Sequence, residues 1–157
     1  MGLSDEQIRA VLKAEIQNDP GAFGYAGVVG DAGLNEDEKN VAIAGMLNAK
    51  AVDASDLRRR VLRERVLGRE VVGAVVYGEY ASLTATQRDL LQMIVTCGEI
   101  DPGDASIRTL FQGLFGAGTE TRANLLALQY RSGSRGEFLL GADFVVQYYH
   151  VGQARAV

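Results

Sequence analysis

Three pairs of residues constrain the fold of this chain more than any other feature, because each pair has the spacing of a capping box at a helix start. In such a box, two side chains satisfy backbone N–H groups that the first helical turn leaves without partners. The three pairs are Ser4–Gln7, Asn35–Glu38 and Thr84–Gln87. Further helix starts are predicted at Asp53 or Ser55, at Pro102, at Thr119 and at Asp143, and a short turn is predicted to begin at Ser134.

Glycine and proline mark where the predicted helices end. The run from Asn18 to Gly21 contains Pro20 and stops the first helix, and Gly98 has the position of a C-terminal glycine. Residues 71–77 and 144–151 are rich in β-branched and aromatic side chains and would also suit a strand, but the chain shows no alternation of strands with helices and no hairpin turn. We therefore predict an all-α fold of six to eight short helices with glycine-rich connections.

Length and composition predict one soluble domain spanning residues 1–157. The chain is 47% hydrophobic with a net charge of −4, which argues against generic binding to duplex nucleic acid. Its one cysteine, Cys97, excludes an intramolecular disulfide framework and favours a reducing compartment. The N-terminus lacks the pattern of a signal peptide, and no apolar run has the length of a membrane span, so we expect a cytoplasmic protein without membrane contact.

The candidate catalytic and metal-binding patterns are weak, and we predict neither an enzyme nor a cofactor. Cys97 and the single histidine, His150, lie in different predicted helices, and a zinc site of the usual kind needs more ligands than these. The acidic run at 35–38 lacks the spacing of a calcium loop. Residues 116–119 precede a helix without the lysine of a phosphate-binding loop.

Six arginines lie within twelve residues of the predicted third helix, which runs from residue 53 or 55 to about 83 and bends or breaks near Gly68. At 100° per residue, Arg58, Arg65 and Arg69 share one face. This face is a solvated surface paired with nearby glutamates, a protein interface, or a contact for nucleic acid or an acidic partner. The six arginines are Arg58, Arg59, Arg60, Arg63, Arg65 and Arg69.

Two aromatic segments are candidate interfaces. Residues 143–157 are unusually apolar for a chain end, and they either close the core or dock on a partner. The glycine-rich loop at 20–34 poses a similar choice between a loop pinned by its aromatic side chains and a partner contact. The candidate interface residues are Phe23 and Tyr25 in the loop and Phe144, Val145, Tyr148 and Tyr149 in the C-terminal segment.

Several short motifs resemble those of small helical proteins from the structural-gene regions of tailed bacteriophages. The similarity covers about half the chain, with a longer loop after Tyr25 than is usual there. The motifs are Ala14 to Pro20, Gly24-Tyr25-Ala26, Val41-Ala42, Leu47 to Lys50 and, more weakly, Ser134 to Glu137 with Leu140-Gly141.

The resemblance implies a non-catalytic virion protein, for which the head–tail connector (adaptor) ring is our first hypothesis. Its partners would then be copies of itself and portal or tail components, in the virion and in the host cytoplasm during assembly. The alternative is a non-structural helical binding module, an assembly factor or regulator that uses the arginine-rich helix, with nucleic acid as a less favoured partner. An enzyme ranks last.

Overall fold

The computed structural model describes residues 2–156, which are mostly helical, with 57% helix and a small amount of sheet. This confirms a roughly all-α fold, but the described residues form ten helices where the sequence predicts six to eight. The helices are α1 (Asp5–Asn18), α2 (Tyr25–Val29), α3 (Glu36–Asn48), α4 (Gly68–Ala74), α5 (Tyr77–Ala81), α6 (Ala85–Thr96), α7 (Ala105–Leu114), α8 (Glu120–Leu128), α9 (Arg135–Leu140) and α10 (Tyr148–Arg155). The strands are β1 (Arg60–Leu62), β2 (Val66–Leu67), β3 (Glu99–Ile100) and β4 (Tyr130–Ser132).

The chain divides into two compact units, where the sequence predicts a single domain. The first unit combines residues up to 61 with those from 132 onward, and the second unit is residues 62–131. The boundaries fall within β1 and β4, which together form a two-stranded sheet. The single-domain prediction stays a prediction, because compact units of this size also occur within one domain.

The first unit is built from α1, α2, α3, α9 and α10. Helix α10 packs against both α1 and α3, and α9 packs against α3 and α1. The apolar faces of these helices form one core, in which Leu12, Ile43, Leu47 and Val151 are fully buried. Burying each aliphatic side chain of this size contributes about 1.5–3 kcal/mol, so this core holds the N- and C-terminal parts of the chain together.

The second unit has its own core around a short antiparallel pair of strands. Val66 of β2 lies opposite Ile100 of β3, and α4 packs against α6 and α8. The core residues include Val71, Leu91 and Phe115, each buried to at least 96%. The second unit therefore has the helices and hydrophobic centre that a separate folding unit requires.

The three capping boxes are confirmed. The side chains of Ser4, Asn35 and Thr84 each accept a hydrogen bond from the backbone N–H three residues on, and the backbone N–H of each donates to the side chain of that same residue. The start of α9 is a fourth box, because Ser134 accepts from the Glu137 N–H while the Glu137 carboxylate accepts from the Ser134 N–H. Thr119 caps α8, and Gly98 ends α6 with a φ of +84°.

The prediction of one long helix from residue 53 or 55 to about 83 is wrong. Residues 51–59 lack regular structure, β1 and β2 follow, and helix begins only at Gly68. Partners distant in sequence override the helical pattern, since Arg63 N–H donates to the Gln129 carbonyl and Gly68 N–H donates to the Gly98 carbonyl. A Cβ at position 68 would overlap the Val95 carbonyl, so glycine serves close packing here rather than a kink.

Two predicted helix starts are displaced. Asp104 rather than Pro102 marks the start of α7, because its carboxylate accepts from the Ser106 N–H. Asp143 has a φ of +62° and does not cap a helix, and α10 begins at Tyr148. The segments 71–77 and 144–151 form no strand, because each contributes to a helix and its flanking irregular residues. Val157, the end of the predicted C-terminal segment, lies outside the described residues.

Candidate interaction site

A buried ion pair lies at the centre of the first unit. The Arg135 guanidinium of α9 donates to Glu15 of α1 through Nε to Oε1 at 2.9 Å and through Nη2 to Oε2 at 2.8 Å. Both residues are less than 10% exposed, and Arg135 Nη1 donates to the Arg58 carbonyl at 2.9 Å. Because both charges are paired and hydrogen-bonded, the cost of burying them is offset.

Tyr25 joins this pair from the start of α2. Its side chain is fully buried, and its hydroxyl donates to Glu15 Oε1 at 3.4 Å. Burial, together with the nearby Glu15 carboxylate, raises the pKa of the Tyr25 phenol well above its usual value, so the neutral form is favoured. Tyr25 therefore supports the pinned-loop interpretation, because a fully buried ring presents no area to a partner.

Phe23, which is partly buried, lies among three guanidinium groups. The centre of its ring lies 4.9 Å from Arg58, 4.7 Å from Arg59 and 5.5 Å from Arg135, within the range of cation–π attraction. The Asp19 carboxylate accepts from the backbone N–H of Phe23 at 2.7 Å. The sequence left open whether Phe23 and Tyr25 pin the loop or contact a partner, and here both fasten the glycine-rich loop to the fold.

The short motifs that carry the sequence resemblance meet in this unit. Glu15, Asp19, Tyr25 and Arg135 all belong to those motifs, and the contacts above join them. The signal for this buried cluster was available in the sequence, because Glu15 interrupts an apolar stripe of α1. An acid on an apolar face requires a buried partner, but the sequence does not indicate which arginine supplies it.

Asn48 anchors the C-terminal segment. Its side-chain amide donates to the Val146 carbonyl at 2.8 Å and accepts from the Val146 N–H at 2.9 Å. The backbone of Gly136 lies so close that a Cβ there would be 2.8 Å from Val146 Cγ2. Val146 is thereby fixed in the core, and the residues beside it are directed outward.

Three of the four predicted C-terminal interface residues form an exposed surface, which we call the C-terminal aromatic surface. Val145, Tyr148 and Tyr149 are 50–59% exposed, and the two tyrosine rings lie edge to face 5.9 Å apart. Phe144 instead is partly buried and packs near His150, whose pKa is lowered mainly by burial. This segment therefore both closes the core and presents apolar surface to solvent, the two roles left open by its sequence.

The arginine face does not exist as predicted. Arg58 precedes β1 in the first unit, while Arg65 and Arg69 belong to the second unit, with Arg69 inside α4. Arg58 pairs with Asp56 at 3.0 Å, and Arg65 pairs with Glu99 at 3.1 Å. Arg58 and Arg65 share no helix, and each is paired with an acidic residue. The interpretation as a solvated, ion-paired surface therefore fits both of them best.

The second unit contains a cavity of about 260 Å³ between α7 and α8, which we call the α7–α8 cavity. Its wall is mainly apolar, and Ile107, Phe111 and Leu125 contribute to it. Arg108 and Arg122 lie on the two facing helices, and neither forms an ion pair within the described residues. Sequence analysis missed this feature, although the apolar spacing of Ile107 and Phe111 on α7 hints at an inward face.

The candidate nucleophile and base do not form a pair. Cys97 is exposed at the end of α6 and its thiol donates to the Met93 carbonyl, whereas His150 Nδ1 accepts from the Gln147 N–H. Among residues 2–156, no cluster of His, Cys, Asp and Glu has the arrangement of a metal site. No helix in that range is long and apolar enough to span a bilayer.

Fold and site define a small, mostly helical protein whose buried polar cluster holds its own fold together and whose exposed aromatic segment is available for contact. No protein-family model, no curated protein and no solved structure matches this chain.

Proposed function

We propose that this chain is a non-catalytic structural protein of a tailed-bacteriophage particle, and that it serves as a subunit of the head–tail connector ring. The observation that carries the proposal is the C-terminal aromatic surface. Val145, Tyr148 and Tyr149 are exposed on a segment whose neighbours Val146 and Val151 are at least 98% buried. The segment is thus rigidly attached and presents large amphipathic side chains outward.

Such an arrangement is typical of protein interfaces. Tyrosine contributes a large apolar area at a small entropic cost and is enriched among the residues that dominate binding energy. Exposed apolar residues that lie together on a folded protein indicate a contact site, whereas apolar residues scattered singly over a surface do not. We assign this surface to the contact with a neighbouring component of the particle.

The phage resemblance supports the same proposal in a limited way. Its motifs contain Glu15, Tyr25, Asn48 and Arg135, whose contacts hold the first unit together. The resemblance therefore concerns a scaffold rather than a reaction centre. A connector subunit needs no reaction centre, because it acts through the surfaces that its scaffold presents to neighbouring proteins.

The alternative role as a regulator or assembly factor loses its main support. It required an arginine-rich helix, and residues 58–67 contain no helix. Arg58, Arg63 and Arg65 are paired with acidic residues at 3.0–3.1 Å, which leaves them less charge to offer nucleic acid or an acidic partner.

The proposal is tested by complementation of a phage in which the gene for this chain is deleted. We expect electron microscopy of the deletion lysate to show heads and tails that are not joined, and the wild-type chain to restore complete particles. The double variant Tyr148→Ser, Tyr149→Ser should remain folded and fail to restore them. The matched control is Tyr77→Ser, since Tyr77 is 83% exposed in the second unit and should complement normally. Normal particles from the deletion phage would contradict the proposal.

A further inference from the structure

The α7–α8 cavity has the features of an acceptor for an apolar side chain next to a carboxylate. Its wall is mainly apolar, and Arg108 and Arg122 also line it without an ion-pair partner in the described part of the chain. At about 260 Å³ it lies just below the range of about 300–1,000 Å³ typical of ligand pockets, so aliphatic side chains fit better than a cofactor. A carboxylate on the occupant would be attracted by both arginines.

A matching segment lies in the first unit of the same chain. Residues 52–57, which we call the donor segment, have the sequence Val-Asp-Ala-Ser-Asp-Leu. Val52 is completely exposed and Leu57 is 62% exposed, so most of the apolar surface of both side chains is free for contact. They flank two aspartates, so the segment combines apolar side chains with the acidic groups that the cavity lacks.

Asp53 is the acid available for this contact. Asp56 forms an ion pair with Arg58 at 3.0 Å. Asp53 instead accepts hydrogen bonds from the nearby Ser55, whose N–H lies 2.8 Å from Oδ1. These bonds from Ser55 lower the pKa of the Asp53 carboxyl, which is therefore charged at neutral pH. Its second carboxylate oxygen, Oδ2, is left for an arginine of the cavity.

We propose that the donor segment of one copy inserts Val52 into the α7–α8 cavity of a second copy, with Asp53 facing Arg108 and Arg122. The inference rests on the proposed connector ring and specifies the contact between its subunits. The donor belongs to the first unit and the cavity to the second, so each copy uses two different surfaces. A contact of this head-to-tail type generates a ring when the rotation between subunits closes.

Two variants separate the two sides of the contact. The donor variant is Val52→Ser with Asp53→Lys, and the acceptor variant is Arg108→Gln with Arg122→Gln. Val41→Ser with Asp37→Lys is the matched control, because it makes the same changes at an exposed valine and acid on α3. Circular dichroism would establish that each variant is folded, and sedimentation velocity over a range of protein concentrations would report its mass.

We expect the wild-type chain and the control to self-associate. The donor and the acceptor variants should each bind a like copy at least about tenfold more weakly, because each lacks a buried aliphatic group or the complementary charge. When the two variants are mixed, one intact contact remains available, so they should form a 1:1 dimer that grows no further. Association of the wild type should also weaken as salt is raised.

Three results would overturn the inference: a monomeric wild type at all concentrations, variants that assemble like the wild type, or a mixture that remains monomeric. Any of these would leave the proposed function standing if the complementation experiment still joins heads to tails. Conversely, normal particles from the deletion phage would remove the connector role even if the mixed variants form the expected dimer. The two failures are therefore distinguishable.

Discussion

Arg135 and Glu15 are 120 residues apart in the chain, and they meet in a two-point hydrogen-bonded ion pair at 2.8 and 2.9 Å inside the first unit. The pair joins the helix that follows β4 to the first helix of the chain. Tyr25 and Phe23 pack around it, so the glycine-rich loop depends on the same contact. The stability of this unit should accordingly respond sharply to each partner.

Removing one partner of this pair should cost far more than removing both. Glu15→Leu or Arg135→Met alone leaves a buried charge unpaired, and we expect each to lower the free energy of unfolding by about 3–5 kcal/mol. The double variant should be much less destabilised than the sum of the two. Urea unfolding measures this, with Arg65→Ala as the control. Its pair with Glu99 is more than half exposed, so its loss should cost about 1 kcal/mol or less. Additive single effects would contradict a coupled pair.

Gly136 should not tolerate a methyl group. A Cβ there would lie 2.8 Å from Val146 Cγ2, so Gly136→Ala should lower the free energy of unfolding by about 1–3 kcal/mol through overpacking. The matched control is Gly45→Ala in α3, where nothing lies within 4 Å of the added carbon and alanine should stabilise by about 0.5–1 kcal/mol. Thermal unfolding followed by circular dichroism compares the two, and equal effects would rule out the close approach of Gly136.

Tyr25 should make the protein sensitive to alkaline pH. Its folded-state pKa is raised above the unfolded value of about 10, so the stabilisation is complete below that value and is lost as pH rises through the folded-state pKa. In ultraviolet titration, one of the six tyrosines should ionise late or only on unfolding. Tyr25→Phe should remove that late step and flatten the alkaline loss of stability, whereas Tyr77→Phe, at an exposed site, should not. Six tyrosines that titrate together near pH 10 would refute the burial of Tyr25.

Glu79 should contribute to the stability of the second unit at neutral pH but not in acid. Its carboxylate accepts from the backbone N–H groups of Glu120 and Thr121, both at 2.8 Å, at the start of α8. The Thr121 side chain, together with these backbone N–H groups, lowers the pKa of Glu79, so its stabilisation is present above the unfolded value of about 4.3 and is lost as pH falls through the folded-state pKa.

We therefore expect Glu79→Gln to unfold at lower urea than the wild type at pH 7 and at a similar urea concentration near pH 2.5. Glu64→Gln, at an exposed carboxylate in the same unit, should match the wild type at both pH values. A difference between Glu79→Gln and the wild type that persists undiminished in acid would show that the charge of Glu79 is not what stabilises α8.

Local chemistry explains what the sequence could predict. Ser4, Asn35, Thr84 and Ser134 act on backbone groups within three residues, so their helix starts can be inferred without any knowledge of the fold. The same holds for Gly98, whose left-handed conformation terminates α6.

Most of the errors involve partners distant in sequence; the start of α7 is an exception, because Asp104 caps it through the nearby Ser106 N–H. The arginine-rich segment has good helix formers, but β1 pairs with β4 and β2 pairs with β3, and these pairings prevail over a modest helix propensity. Asp143 has the sequence pattern of a helix cap, but the Asn48 side chain fixes the backbone of Val146, and α10 begins only at Tyr148. Glu15 could be identified as a buried acid, but its partner Arg135 is 120 residues away and could not.

The most direct test of the connector role is quantitative mass spectrometry of purified particles from the phage that encodes this chain, calibrated against the major capsid protein. The proposal predicts that the chain is present at the copy number of a single ring at the neck. Hundreds of copies would place it on the capsid or along the tail instead, and its absence from complete particles would contradict a structural role.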